Sequence, residues 1–390
     1  MRRSPHAAFA GIFVVTLLSL TAVGAVLPVL PHYVRGPLDS GNFAVGLVIG
    51  AFAFTALAGR PVAGHVADLR GRRPVVVIGS LLASLAGLLY LMPGGLPTLL
   101  VARLVLGAGE GMVFTAGATW VVDLAPPERR GRVIGLYGLA VWGGLSLGPP
   151  IGDAILRASS FDAVWAFAAI SPFLGALVAL RLPDPYRPEP EHEKRPLIAR
   201  ESIRPGLALS LATVGYAAMA SFIVLDLDAN GTGHGAAAFT AFAATVVVTR
   251  LAGGDLPDRI GPLRCAAGAA VVEVGGLALI ALADSLPLAL AGAVGMGMAF
   301  ALIYPSLSLV VIGDVSETRR GSALGTFTAF FDVGMGVGGP LAGLAASLGG
   351  YPAAFWLGSA CAAGAGVAVL SVRARSVAAA APDRSPAGSA

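Results

Sequence analysis

The chain is short of what a water-soluble protein needs. Only 12% of its 390 residues are charged, about half the share of an ordinary soluble domain, which is too little to cover a water-facing surface. Cysteine occurs twice, at Cys265 and Cys361, both inside apolar runs. Two such thiols build neither a disulfide framework nor a metal site and read as small packing residues. There is no Ser/His/Asp constellation, no histidine-rich cluster and no phosphate-binding glycine loop, so no enzymatic chemistry, cofactor or nucleic-acid partner is expected.

What is abundant is apolar surface: 56% of the residues are hydrophobic and the mean hydropathy is +0.80. A bilayer is the solvent that fits. A spanning helix takes about 20 mainly apolar residues, and the punctuation by Pro, Gly and charge allows twelve such segments, at 9–30, 44–66, 74–92, 97–121, 131–152, 161–181, 205–225, 236–257, 263–283, 287–312, 321–346 and 353–372. Met1-Arg2-Arg3 before the apolar run Ala7 to Leu30 has the look of a signal peptide. The run is too long, with no small-x-small site before a polar mature domain, and reads as the first span. An even number of spans puts both termini on one side. Only Arg35 and Arg157 fall in outer loops and Arg103 within a span, the other basic residues lying at inner ends or inner loops. This bias predicts cytoplasmic termini.

The chain is also an internal duplication. Arg60-x3-Gly64-x3-Asp68-x2-Gly71 recurs 190 positions later as Arg250-x3-Gly254-x3-Asp258-x2-Gly261, and Arg129-Arg130-Gly131 recurs as Arg319-Arg320-Gly321. The expected fold is an all-α membrane protein of twelve transmembrane helices in two pseudo-symmetric six-helix bundles. The bundles span 1–181 and 205–375. Between them, 182–204 is a polar cytoplasmic linker with Glu189, Glu191, Glu193, Lys194, Arg195 and an amphipathic piece near Leu197 to Ile203; 376–390, rich in Ala, Ser and Pro, reads as a disordered tail.

The first copy continues Gly64-His65-Val66-Ala67-Asp68-Leu69-Arg70-Gly71-Arg72-Arg73, where two glycines permit a tight reversal. Asp68 can pair with an arginine, and Arg72 and Arg73 with acids at neighbouring helix ends such as Asp123. This stretch resembles the signature loop of the major facilitator superfamily, and the likeness extends through twelve spans, duplication and linker. The resemblance implies a conformational latch between bundles, carried here by Gly64, Asp68, Gly71, Arg72 and Asp123 with Asp258 in the second copy. There Pro262 and Leu263 replace the arginine pair.

Span four holds Arg103 and Glu110 among glycines. A charge at mid-span costs about 2.5–3.5 kcal/mol on insertion scales, so both should face the bundle interior. They share nearly one helix face about 10 Å apart, too far for direct pairing. The stretch resembles the superfamily's span-four arginine motif, which implies proton coupling with Arg103 tuning a nearby acid; a structural ion pair is the alternative. Span five has Gly135, Gly144, Gly148, Pro149 and Gly152, which resembles the superfamily's antiporter motif and implies a hinge and an exporter. Asp153 departs from the pattern. In span eleven Asp332 lies near mid-depth, flanked by Phe327, Phe330 and Phe331, and is a third proton-coupling candidate. Glu273, on a peripheral span, fits a structural role as well as a transport one.

Candidate cavity residues are Tyr137, Trp142, Tyr216, Phe222, Met298, Tyr304 and Phe331, although aromatic and methionine residues in spans are commonly packing. His32 and Arg35 end span one at an outer gate or a solvated loop. The resulting expectation is a proton-coupled exporter of small, rather apolar compounds in a cell inner membrane, working as a monomer with substrate, protons and lipid as partners. The alternatives are an exporter or proton symporter of a sugar or other metabolite, and a non-transporting membrane sensor.

Overall fold

In hydrocarbon a backbone N–H or C=O finds no water, so each apolar run must satisfy its own hydrogen bonds and becomes helix. The computed structural model describes residues 5–126, 130–184, 199–313, 315 and 319–380. The linker charges Glu189 to Arg195, Arg129 and residues 381–390 lie outside them. The first half holds α1 (Pro5–Val26), α2 (Val29–Arg35), α3 (Asn42–Arg70), α4 (Arg72–Tyr90), α5 (Gly95–Asp123), α6 (Arg130–Ala158) and α7 (Phe161–Leu180). The second holds α8 (Ile203–Ala229), α9 (Gly235–Gly253), α10 (Leu256–Ile260), α11 (Pro262–Ala281), α12 (Leu286–Gly313), α13 (Arg320–Gly349) and α14 (Tyr351–Ala380). Twelve helical segments among the described residues are long and apolar enough to cross a membrane, matching the twelve expected, and α14 extends through 376–380, which the composition assigned to the tail.

Local chemistry explains the two short helices. Pro28 and Pro31 interrupt the first span, separating α1 from α2 at a turn. In the first copy of the repeat, α3 runs unbroken through Gly64 and Asp68 to Arg70. In the second, α9 ends at Gly253 and α10 restarts at Leu256. The cause is Gly253-Gly254 followed by Pro257, whose ring cannot be accommodated four residues after a helical carbonyl. Both copies then reverse at the same glycine: Gly71 has φ +94° and Gly261 φ +92°, a conformation that a β-carbon strains.

The duplication is visible in the packing. Within the first half α1 lies against α6 and α7, α3 against α5, and α4 against α5 and α7; within the second α8 lies against α13 and α14, α9 against α12, and α11 against α12 and α14. The halves meet along α3–α13 and, related by the same 190-residue offset, α9–α6. Without a hydrophobic drive between helices in lipid, close backbone approach and hydrogen bonds must hold these seams. Glycine supplies the approach. On α6, Gly144, Gly148 and Gly152 press on Leu20, Gly24 and Ala25 of α1, and on α13 the equivalents Gly334 and Gly338 press on Ser210 and Val214 of α8. Between the halves, Gly46 and Gly50 of α3 abut Gly339 and Gly336 of α13, and Gly343 abuts Asn42.

These inter-bundle contacts lie toward the face opposite the termini. Asn42 Nδ2 donates to the Ala346 carbonyl at 3.1 Å and His32 Nε2 lies 3.3 Å from Asp228 Oδ2, both across the two halves. On the face that carries the termini, Arg72 and Arg319 form ion pairs within their own halves.

A β-carbon at Gly46 would overlap the Gly339 carbonyl, whereas one at Gly135 meets nothing within 4 Å. Gly46→Val is therefore expected to lower the thermal unfolding midpoint of the detergent-purified protein, in line with an overpacking cost of about 1–3 kcal/mol. Gly135→Ala should leave it unchanged or slightly raised.

Candidate functional site

An arginine inside an apolar helix needs a partner, and Arg60 of α3 finds one on the other bundle. Its Nε donates to Asp332 Oδ2 at 2.8 Å and its Nη2 to Oδ1 at 3.2 Å, a two-point fork on a carboxylate that is 1% exposed. The guanidinium also lies 4.9 Å from the ring centroid of Phe114 on α5. The glycine seam between α3 and α13 brings the two backbones near enough for this short bond. Asp332 follows the start of α13 by about 12 residues, which at 1.5 Å per residue sets the pair near the middle of a ~30 Å hydrocarbon layer.

Glu110 of α5 belongs to the same group and interacts electrostatically with both Arg60 and Asp332. It forms no hydrogen bond among the described residues and is partly exposed, unlike Asp332. Arg60 thus bonds an acid of the other bundle, Asp332, while Glu110 of its own bundle acts on it electrostatically without a bond. Asp332 and Glu110 were both legible as mid-span acids. Arg60 was read only as part of the repeat at an inner helix end.

Arg103 takes a different position. Fully buried, it donates from Nε to the Val48 carbonyl at 2.8 Å and from Nη2 to the Ile49 carbonyl at 3.0 Å, with its guanidinium 4.9 Å from the Phe52 ring centroid. The Tyr90 hydroxyl lies beside it. These bonds clamp α5 to α3 inside one bundle, and Arg103 has no ion pair to an acid among the described residues. It does not bond Glu110, as the helical spacing required.

Of the cavity candidates, Trp142, Tyr216 and Phe331 do come together, with Phe242 of α9 and Phe300 of α12 completing an aromatic cluster. Phe300 lies 5.2 Å from Trp142, 5.3 Å from Tyr216, 5.5 Å from Phe242 and 6.0 Å from Phe331. Phe242 and Phe300 carried no signal beyond ordinary apolar periodicity. Tyr137 packs at 6.2 Å on Phe114 and its hydroxyl donates to backbone carbonyls of α5; the counterparts 190 residues on, Phe327 and Tyr304, pack at 5.2 Å, with the hydroxyl now on the other partner, where Tyr304 meets Thr328 Oγ1 at 2.7 Å. Two candidates lie elsewhere. Phe222 stacks on Tyr351 near the face opposite the termini. Met298 is 44% exposed; two positions from Phe300 is about 200° around a helix, so it points away from the cluster. Glu273 is 1% exposed and faces Gly215 of α8, away from Arg60.

The repeated loops differ as their sequences do. Arg72 bridges Asp68 at 2.6 Å and Asp123 at 3.0 Å, the pairing that the sequence suggested, tying α3, α4 and α5 within one bundle. The side chain of Asp258 has no hydrogen bond among the described residues, and the local pair there is Arg259 with Asp255. Asp153 at the far end of α6 pairs with Arg157 at 2.8 Å.

Because Arg103 satisfies two helix carbonyls in a buried site, Arg103→Ala should lower thermal stability by roughly 1.5–3 kcal/mol per charged bond removed. The midpoint measured in detergent, compared with that of Glu110→Gln, checks this: only the arginine variant should melt substantially earlier.

A family model described as Major Facilitator Superfamily matches residues 12–311 and 206–388. The uncharacterized MFS-type transporter YhhS of Escherichia coli (strain K12) is 36% identical over 348 residues, covering 86% of this chain and 84% of that protein. An uncharacterized MFS-type transporter of Burkholderia pseudomallei (strain 1106a) is 34% identical over 390 residues, covering 95% and 94%. Among solved structures, the human organic anion transporter MFSD10 (TETRAN) matches with a TM-score of 0.71 at 20% identity, over 94% of this chain and 100% of that one. The nucleoside transporter NupG matches with a TM-score of 0.76 at 14% identity, over 94% and 99%. With its twelve helices, its internal duplication and these relatives along most of its length, the chain belongs to the Major Facilitator Superfamily and is a multi-pass membrane transporter.

Proposed function

We propose that the protein is a proton-coupled exporter in a cell inner membrane, with both termini cytoplasmic, that works by alternating access. The observation that carries this is the Arg60–Asp332 ion pair, which joins the two bundles at mid-depth beside a second acid, Glu110. Protonating Asp332 removes the charge that holds Arg60. The guanidinium, which stays charged at any working pH, then turns to Glu110 on its own bundle. One proton thereby converts a bond between bundles into a bond within one, and the rocking of one bundle against the other follows. Contacts between the halves at Asn42, Gly46 and His32 and pairing within halves at Arg72 and Arg319 support an inward-facing state here. Alternation would close the Arg72 side, where the Asp68 and Asp123 pairings form the proposed latch.

Export rather than uptake rests on the glycine and proline pattern of α6, and a rather apolar, drug-like substrate on the aromatic cluster around Phe300. One chain carries both bundles, so a monomer suffices. The solved neighbours include transporters of nucleosides, peptides and organic anions, substrates too different for the shared fold to choose among them.

In energised inverted vesicles, whose acid lumen releases protons outward, accumulation of substrate in the lumen is expected; loss of preloaded substrate from the lumen along with the protons would establish symport instead. Asp332→Asn should abolish gradient-driven transport while leaving counterflow exchange at a substantial fraction of the wild-type rate, and loss of both would mean a structural role. Asp68→Asn should reduce the transport rate several-fold more than Asp258→Asn, since only Asp68 engages an arginine; equal effects would remove the latch asymmetry.

A further inference from the structure

The two halves keep the same arginine but not the same partners. Counting 190 residues forward, Arg60 becomes Arg250, Glu110 becomes Phe300, and Phe114 becomes Tyr304; counting back, Asp332 becomes Trp142. Both acids that attend Arg60 are therefore replaced by aromatic residues in the other half, Trp142 against Arg250 and Phe300 packed on Trp142. The structure places the second set as the pseudo-symmetric image of the first. Arg60 reaches across the α3–α13 seam to Asp332, and Arg250 reaches across the α9–α6 seam to lie 5.4 Å from the ring centroid of Trp142. Gly138, one turn from Trp142 on α6, leaves space beside the guanidinium, where a β-carbon would stand 3.6 Å from Nη1.

Arg250 has no hydrogen bond or ion pair among the described residues, and its Nε is buried without an acceptor. Tyr304 acts on it electrostatically, with a hydroxyl already bonded to Thr328. A guanidinium carries several N–H donors in a rigid fork suited to carboxylate or phosphate. An aromatic face attracts the cation but accepts none of those bonds. The site thus has a fixed positive charge, open donors and, continuing from Trp142, the apolar wall of Phe300, Phe242, Tyr216 and Phe331.

We infer that Arg250 over Trp142 is the binding site for the anionic group of the substrate, and that the substrate class is amphipathic organic anions with an aromatic or apolar body. The body stacks in the cluster while the carboxylate or a comparable oxyanion accepts from Arg250. Arg60 cannot serve this way because Asp332 already occupies its fork. A lipid headgroup is excluded by depth: Trp142 lies about 12 residues into α6, near the bilayer middle rather than its surface. This inference rests on the reading of the space between the bundles as the substrate path.

The test measures equilibrium binding to purified protein in nanodiscs, with no proton gradient, for three probes sharing one ring system: 2-naphthoate, 2-naphthylmethanol and 2-naphthylmethylammonium. The wild type should bind the naphthoate at least tenfold more tightly than the alcohol and the ammonium most weakly. Arg250→Gln should reduce naphthoate binding to the level of the alcohol without changing the alcohol itself, and Arg250→Lys should keep part of the preference. Retention of naphthoate binding in Arg250→Gln, equal binding of the three probes by the wild type, or no binding of the naphthoate would each overturn the proposal. If Arg250→Gln fails to fold, the wild-type preference and its dependence on Arg250→Lys still decide. Anion binding without proton-driven transport would instead sink the coupling scheme and leave this site standing.

Discussion

The bond from Arg60 to Asp332 is the constraint on which the rest of the molecule turns. In a low-dielectric layer neither charge is tolerable alone, and removing one partner of a buried pair costs roughly 3–5 kcal/mol. The fork closes only if α3 and α13 approach at the distance that Gly46, Gly50, Gly336 and Gly339 allow. The glycine seam and the ion pair are therefore one device. Small residues set the separation, and charge fixes which faces of two helices from different bundles must look at each other.

Gene duplication supplied a second copy of the scaffold, and divergence gave the copies different electrostatics. The glycine contacts Gly107 on Phe52 and Thr55, and Gly297 on Phe242 and Thr245, are the same packing repeated at the 190-residue offset. The arginine is repeated but its acids are not. Acids lie around the arginine of one copy and aromatic rings around that of the other, so a single chain presents a neutralised cation and an open one at equivalent depths. In the scheme proposed above, the first serves the proton and the second the substrate.

The repeated loops show how the same substitution logic works on backbone. Pro257 and the Gly253-Gly254 pair break α9 from α10, where α3 runs on as one helix to Arg70. The unbroken helix carries Asp68 up to the turn at Gly71, across which Arg72 at the start of α4 bonds it and spans to Asp123. Where Pro262 stands in place of that arginine, no such bridge is possible.

The sequence by itself determined the number of membrane-spanning segments, the duplication, the turn glycine Gly71, the Asp68–Arg72 pairing across it and the placing of Glu110 and Asp332 inside spans. These follow from hydropathy, spacing and local backbone chemistry, which act over one or two helical turns. It could not say that Arg60 rather than Arg103 meets Asp332, since the pairing crosses 272 positions and depends on how two bundles dock. It equally named Phe222 and Met298 as cavity residues and passed over Phe300, all three being apolar residues in spans. Only the tertiary structure turned Phe300 to the centre and Met298 outward, because a helix's apolar face in a membrane serves lipid and protein alike, and the choice is made by the neighbour that packs against it.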